Sequence, residues 1–96
     1  MAAHPFELGE SEMELKSKID SIASRGDFVN FVKELRNDLL AHPEEWENDT
    51  LERYFEALSA WTDEMDRYYK ANRLEVPTSL SWKVLAEMLM ASKYFE

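Results

Sequence analysis

Leu51-Glu52-Arg53-Tyr54-Phe55-Glu56-Ala57-Leu58-Ser59-Ala60-Trp61-Thr62-Asp63-Glu64-Met65-Asp66-Arg67-Tyr68-Tyr69 is the stretch whose reading decides the fold. Leu51, Tyr54, Phe55, Leu58, Trp61, Thr62, Met65, Tyr68 and Tyr69 return at helical spacing, so one side of a long helix is apolar. At 1.5 Å per residue, about 20 residues make a rod of roughly 30 Å, long enough to be the central scaffold of a bundle. Asp49-Thr50-Leu51-Glu52 offers a capping box at its start, and Asn72 and Pro77 mark the loop that follows, which predicts a helix over 50–71.

Working outward, the two glycines (Gly9, Gly26) and three prolines (Pro5, Pro43, Pro77) fall between periodic segments, where helix boundaries belong. A first helix over 11–23 turns Met13 or Leu15, Ile19, Ile22 and Ala23 inward and Glu12, Glu14, Lys16 and Lys18 outward. Ser24-Arg25-Gly26-Asp27 reads as a capping box for a second helix over 27–41. There Phe28, Val32, Leu35 and Leu39 form the stripe, with Val29, Phe31 and Leu40 widening it, until Pro43 disfavours helical geometry at His42. Ser81 caps a last helix over 82–95. In that helix Trp82, Val84, Leu85, Ala86, Met88, Leu89, Met90 and Ala91 leave only Lys83 and Glu87 as clear contacts with water. Such a helix either lies inside the bundle or keeps part of its surface for a second chain. The expectation is an all-α, compact bundle of about four helices with one long central helix, residues 1–10 being a loose N-terminus and 11–96 a single domain.

A chain of 96 residues has room for one core, and 45% apolar residues are enough to fold it without a disulfide or structural metal. The absence of cysteine removes thiolate ligands, thiol nucleophiles and thiol redox chemistry. Neither a basic-then-apolar leader nor an apolar run near the roughly 20 residues of a membrane span is visible, so the cytoplasm is the expected compartment and no membrane partner is expected. The net charge of −9, from 20 acidic and 11 basic side chains, is spread over both halves of the chain. It opposes binding to nucleic acid.

Chemistry is scarce. No His-Glu-x-x-His or Glu-x-x-His pattern provides metal ligands on a helix, and no Gly-x-Ser-x-Gly elbow displays a nucleophile. Two glycines 17 positions apart supply no phosphate loop. No cofactor is expected, and the two histidines, His4 and His42, read as solvent-exposed. The best raw material is acidic. Glu52, Glu56, Asp63 and Asp66 lie along one broad face of the long helix with Ser59 between them, where a divalent cation or a basic partner could sit. Asp63 with Arg67 and Asp66 with Lys70 have favourable i, i+4 spacing for a plain solvated face. Glu52 and Glu56 have no such compensation, so Glu52, Glu56 and Asp63 are the candidate metal ligands. His42-Pro43-Glu44-Glu45-Trp46-Glu47-Asn48-Asp49 sets a large aromatic among carboxylates in a connection. If Trp46 is exposed it is an interface anchor; if it folds back, it is a lid on the core with the acids outside. Tyr68, Tyr69, Trp82 and Tyr94 read as core or core-edge aromatics rather than a ligand cage.

Pro43-Glu44-Glu45-Trp46-Glu47-Asn48, then Thr50 to Leu58, Trp61, Met65-Asp66 and Ser81-Trp82-Lys83-Val84-Leu85-Ala86 together resemble a family of small uncharacterised bacterial all-helical proteins, a domain of unknown function. The resemblance runs from about Ser24 to Phe95. It implies a bacterial helical protein and no activity, cofactor or catalytic residue.

These readings converge on a non-enzymatic, acidic interaction module of immunity, antitoxin-like or regulatory type. It would meet a protein partner with a basic surface through Glu44, Glu45, Trp46, Glu47, Glu52 and Glu56. Two alternatives stand beside it: a metal- or ligand-dependent enzyme built on Glu52, Glu56 and Asp63 with a cleft closed by Trp46 and the Tyr68-Tyr69 pair, and a structural homodimer pairing through the last helix.

Overall fold

A computed structural model describes residues 10–95, with side chains from Met13 onward; the expected loose N-terminus and the outward placement of Glu12 lie outside what it describes. Four helices follow in order: α1 (Glu10–Asp20), α2 (Arg25–Ala41), α3 (Leu51–Ala71) and α4 (Trp82–Ser92), with a 3₁₀ turn at Pro43–Glu45 between α2 and α3. The architecture is the all-α bundle predicted, with α3 its longest helix. Four helix boundaries are set by local chemistry. Ser24, Thr50 and Ser81 are extended at the N-caps of α2, α3 and α4, and each hydroxyl accepts from the amide three residues on, Asp27, Arg53 and Val84, satisfying an orphan donor of the first turn. Asp27 answers one residue earlier than a standard capping box requires: its carboxylate accepts from the Ala23 N–H at 3.0 Å. Pro43 stops α2 as expected, with His42 out of helical geometry.

α3 ends in a Schellman turn. The Leu74 N–H reaches the Tyr69 carbonyl at 2.8 Å and the Arg73 N–H reaches Lys70 at 3.1 Å, with Arg73 left-handed at φ 57°, a position where glycine is usual. Two helices stop short of expectation. Past α1, Ser21 and Ile22 bond back to Lys18 and Ile19, and past Ser92 the amides of Lys93 and Tyr94 bond to Met90 and Ala91. The end of α1 tightens from α to 3₁₀ spacing, while past α4 the two 3₁₀ bonds are joined by an α-type bond from the Phe95 N–H to the Ala91 carbonyl at 2.9 Å.

Burial follows the predicted stripe on α1, is shifted in phase on α2, and holds on α3 for Tyr54, Leu58, Trp61, Met65 and Tyr69, while Leu51, Phe55, Thr62 and Tyr68 of the same stripe are exposed. Leu15 rather than Met13 joins Ile19 and Ile22 in the core, while Met13 and Ala23 are exposed. On α2 the buried line is Phe31, Leu35 and Asp38, flanked by half-buried Phe28 and Leu39; Val29, Val32 and Leu40, expected inside, are exposed. The helix is rotated toward the side that carries Asp38. α4 is packed by α1, α2 and α3, so its apolar circumference is covered from three directions. Among the described helices α3 meets only α4. Tyr hydroxyls fasten that pair: Tyr54 donates to the Leu89 carbonyl at 2.8 Å and Tyr69 to Glu87 at 2.6 Å. The Leu89 carbonyl is open to Tyr54 because the Lys93 amide turns to Met90 and Ala91 instead.

Candidate functional site: the Trp46 loop and the outer face of α3

The connection between α2 and α3 is tied to the end of α4 around a buried ion pair. Asp38, one turn before the end of α2, faces inward; Lys93, just past α4, reaches its Oδ2 at 2.8 Å, with side-chain exposures of 3% and 0%. Trp46 donates its indole N–H to the same oxygen at 2.9 Å, and the Lys93 ammonium lies 5.4 Å from the Trp46 ring centroid. Two charges removed from water are tolerable when paired and hydrogen-bonded, and breaking such a pair from one side is strongly destabilising. Asn48 completes the closure. Its amide N–H donates to the Lys93 carbonyl at 3.0 Å, and its side-chain Nδ2 donates to the carbonyls of Ser92 at 3.1 Å and Phe95 at 2.9 Å. Those carbonyls belong to a helix terminus whose last turn has no intrahelical donors left.

Trp46 is therefore the lid of the two readings: it is 7% exposed, against Tyr54 at 6.0 Å between ring centroids, and its ring meets the interior rather than solvent. Glu44 is exposed, and Glu45 and Glu47 are half-buried around it. Asp38 and Lys93 carried no signal of their own in the sequence. Asp38 does fall at i+3 from Leu35 and i+7 from Phe31 on an otherwise apolar line, the one mark that could have exposed it.

Glu52, Glu56, Asp63 and Asp66 are exposed along α3, as expected of a solvated face. Glu52, Glu56 and Asp63 are not drawn together: the one group of three metal-binding side chains with converging ligand atoms among the described residues is His42, Glu44 and Glu45. Arg67 pairs with Glu64 at 3.4 Å instead of Asp63, and Arg53 pairs with Asp49 at 3.7 Å. Beside Glu52 and Glu56 the helix exposes Leu51 (70%) and Phe55 (57%). Both were expected to face inward. They are left outside because α3 has α4 on one side only. The aromatics do not form a four-membered cage: Tyr68 packs on Trp61 at 4.9 Å and on Tyr69 at 5.3 Å, while Trp82 packs on Phe28 at 5.4 Å. Nor does Trp46 join the Tyr68-Tyr69 pair.

Fold and contacts define a small helical domain whose inter-helix loop is stapled to its C-terminal turn by a buried ion pair, with an acidic and partly apolar helix face outward. The chain belongs to the family of unknown function DUF7660, which it matches over residues 24–96, a span that holds α2, α3, α4 and every member of the staple. No curated protein and no solved structure matches the chain.

Proposed function

We propose that this domain is a small protein-interaction module of the bacterial cytoplasm, of immunity, antitoxin-like or regulatory type, acting by binding and not by catalysis. Its partner carries a basic surface. The observation that carries this reading is the outer side of α3, where exposed Leu51 and Phe55 stand beside exposed Glu52 and Glu56. Apolar side chains give a contact its affinity, and the surrounding carboxylates select a cationic counterpart and steer it in. The Glu44 carboxylate at the start of the stapled loop extends the same charge. A chain of net charge −9 adds a field that accelerates encounter with cations. No described helix is long and apolar enough to cross a membrane, which agrees with a protein partner rather than a bilayer core. The test is the association rate of the purified partner at low and high salt. A rate that falls steeply with salt supports the reading, because surface charges more than about 10 Å apart are screened at 0.1 M; a salt-independent rate refutes it.

A second reading, a homodimer through α4, draws on Leu80 (63% exposed) and Trp82 (38%) at the start of that helix. They border an open hollow of about 490 Å³ together with Ile22 and Leu85. A strictly monomeric mass at high protein concentration would refute it.

A further inference from the structure

His42, Glu44 and Glu45 sit on one tight turn, and one ligand atom from each lies within 4.8 Å of the others. The His42 Nδ1 is 3.7 Å from a Glu44 oxygen. Independently, the Oε1 of Glu45 is buried with no hydrogen-bond partner among the described residues. A carboxylate oxygen stripped of water and given no donor is costly, and what satisfies it must be positively charged or carry a proton.

The turn is held in shape from below. Pro43 fixes its first residue, the Glu45 N–H closes on the His42 carbonyl at 3.0 Å and the Trp46 N–H on Pro43 at 3.1 Å. Trp46 is itself pinned to Asp38. Three ligands spaced i, i+2 and i+3 thus project from backbone that has little freedom left to lose on binding. The side chains of His42 and Glu44 are 44% and 70% exposed, so an ion reaches them from solvent.

The geometry points to a divalent transition-metal site of the zinc class at this turn, with the His42 Nδ1 and one oxygen each from Glu44 and Glu45 as ligands. One imidazole with two carboxylates suits zinc better than calcium or magnesium, which call for more oxygen donors. Ligands about 2.0–2.1 Å from a tetrahedral ion stand roughly 3.3 Å apart, a closure that side-chain rotation supplies from the present separations. Three protein ligands leave a fourth position to water, and the exposed Glu44 makes the ion exchangeable. These residues are distinct from Glu52, Glu56 and Asp63 on α3, and the site stands whether or not α3 binds a basic partner.

The experiment is calorimetric titration of the full chain with Zn²⁺ alone, with Co²⁺ absorption as the reporter of coordination geometry. Wild type, His42→Ala and Glu45→Gln are compared, each checked for unchanged helical circular dichroism. One ion per chain is expected, with tetrahedral Co²⁺ bands, and each variant should bind about tenfold more weakly or worse. No binding by wild type, or either variant binding as wild type does, would overturn the site.

Discussion

At the scale of single residues, Lys93 and Asp38 are worth little apart. Lys93→Met leaves the Asp38 carboxylate buried at the loop and is expected to cost about 3–5 kcal/mol in urea unfolding. The Asp38→Leu, Lys93→Met double variant should lose far less than the sum of its singles; strict additivity would show that the two charges do not act as a pair. Trp46→Phe gives up a hydrogen bond to a charged group, about 1.5–3 kcal/mol. Trp61→Phe should cost less, since the buried Trp61 N–H has no partner to lose among the described residues. Burial pushes Tyr54 up to about 12, and burial together with Glu87, which accepts its proton, pushes Tyr69 higher still. The folded state then keeps protons that the unfolded chain releases near its ordinary value of about 10. Stability is accordingly full below about pH 10 and declines as pH rises from there toward the folded values. Urea midpoints across the alkaline range should show this fall, and Tyr54→Phe should make it shallower.

At the scale of elements, caps and turns account for most of the boundaries. Arg73 holds a left-handed residue where its Cβ costs about 1–2 kcal/mol, less the greater freedom that glycine has when unfolded. Arg73→Gly is therefore expected to raise stability by about 0.5–1 kcal/mol, read as a higher Tm; a lower one would mean that the Arg73 side chain contributes more than its backbone strain removes. Asn48→Ala removes the side-chain donor to the Ser92 and Phe95 carbonyls and should cost about 1–3 kcal/mol. This is also the level at which the sequence was most legible. Ser24, Thr50, Ser81 and Pro43 act within a few residues of themselves, so their effect can be read without knowing the fold. The rotation of α2 could not be. Val32 and Leu40 are as apolar as Phe31 and Leu35, and the choice between the two phases is made by Asp38, a residue type that belongs outside by default and is turned inward by a lysine 55 positions away. The exposure of Leu51 and Phe55 was hidden for a similar reason: periodicity shows that a helix has an apolar side, but not how much of that side a neighbour covers.

For the molecule as a whole, the proposed function gives the staple to folding and the α3 face to recognition. The PEEWEN stretch, which in sequence offers both an anchor and an acidic patch, has its tryptophan committed to the interior and only part of its acid left for a partner. On the proposal made above, recognition falls to α3, whose outer side chains Leu51, Glu52, Phe55 and Glu56 are exposed. Changing exposed residues of this kind usually alters stability by no more than about 0.5 kcal/mol, which separates loss of binding from loss of fold. The most direct measurement is partner retention at low salt on immobilised wild type and on a Leu51→Ser, Phe55→Ser, Glu56→Gln protein, with the Tm of both measured alongside. The expected result is a stoichiometric partner held by wild type and lost by the variant at an essentially unchanged Tm. A partner held equally by both would contradict the assignment of recognition to α3.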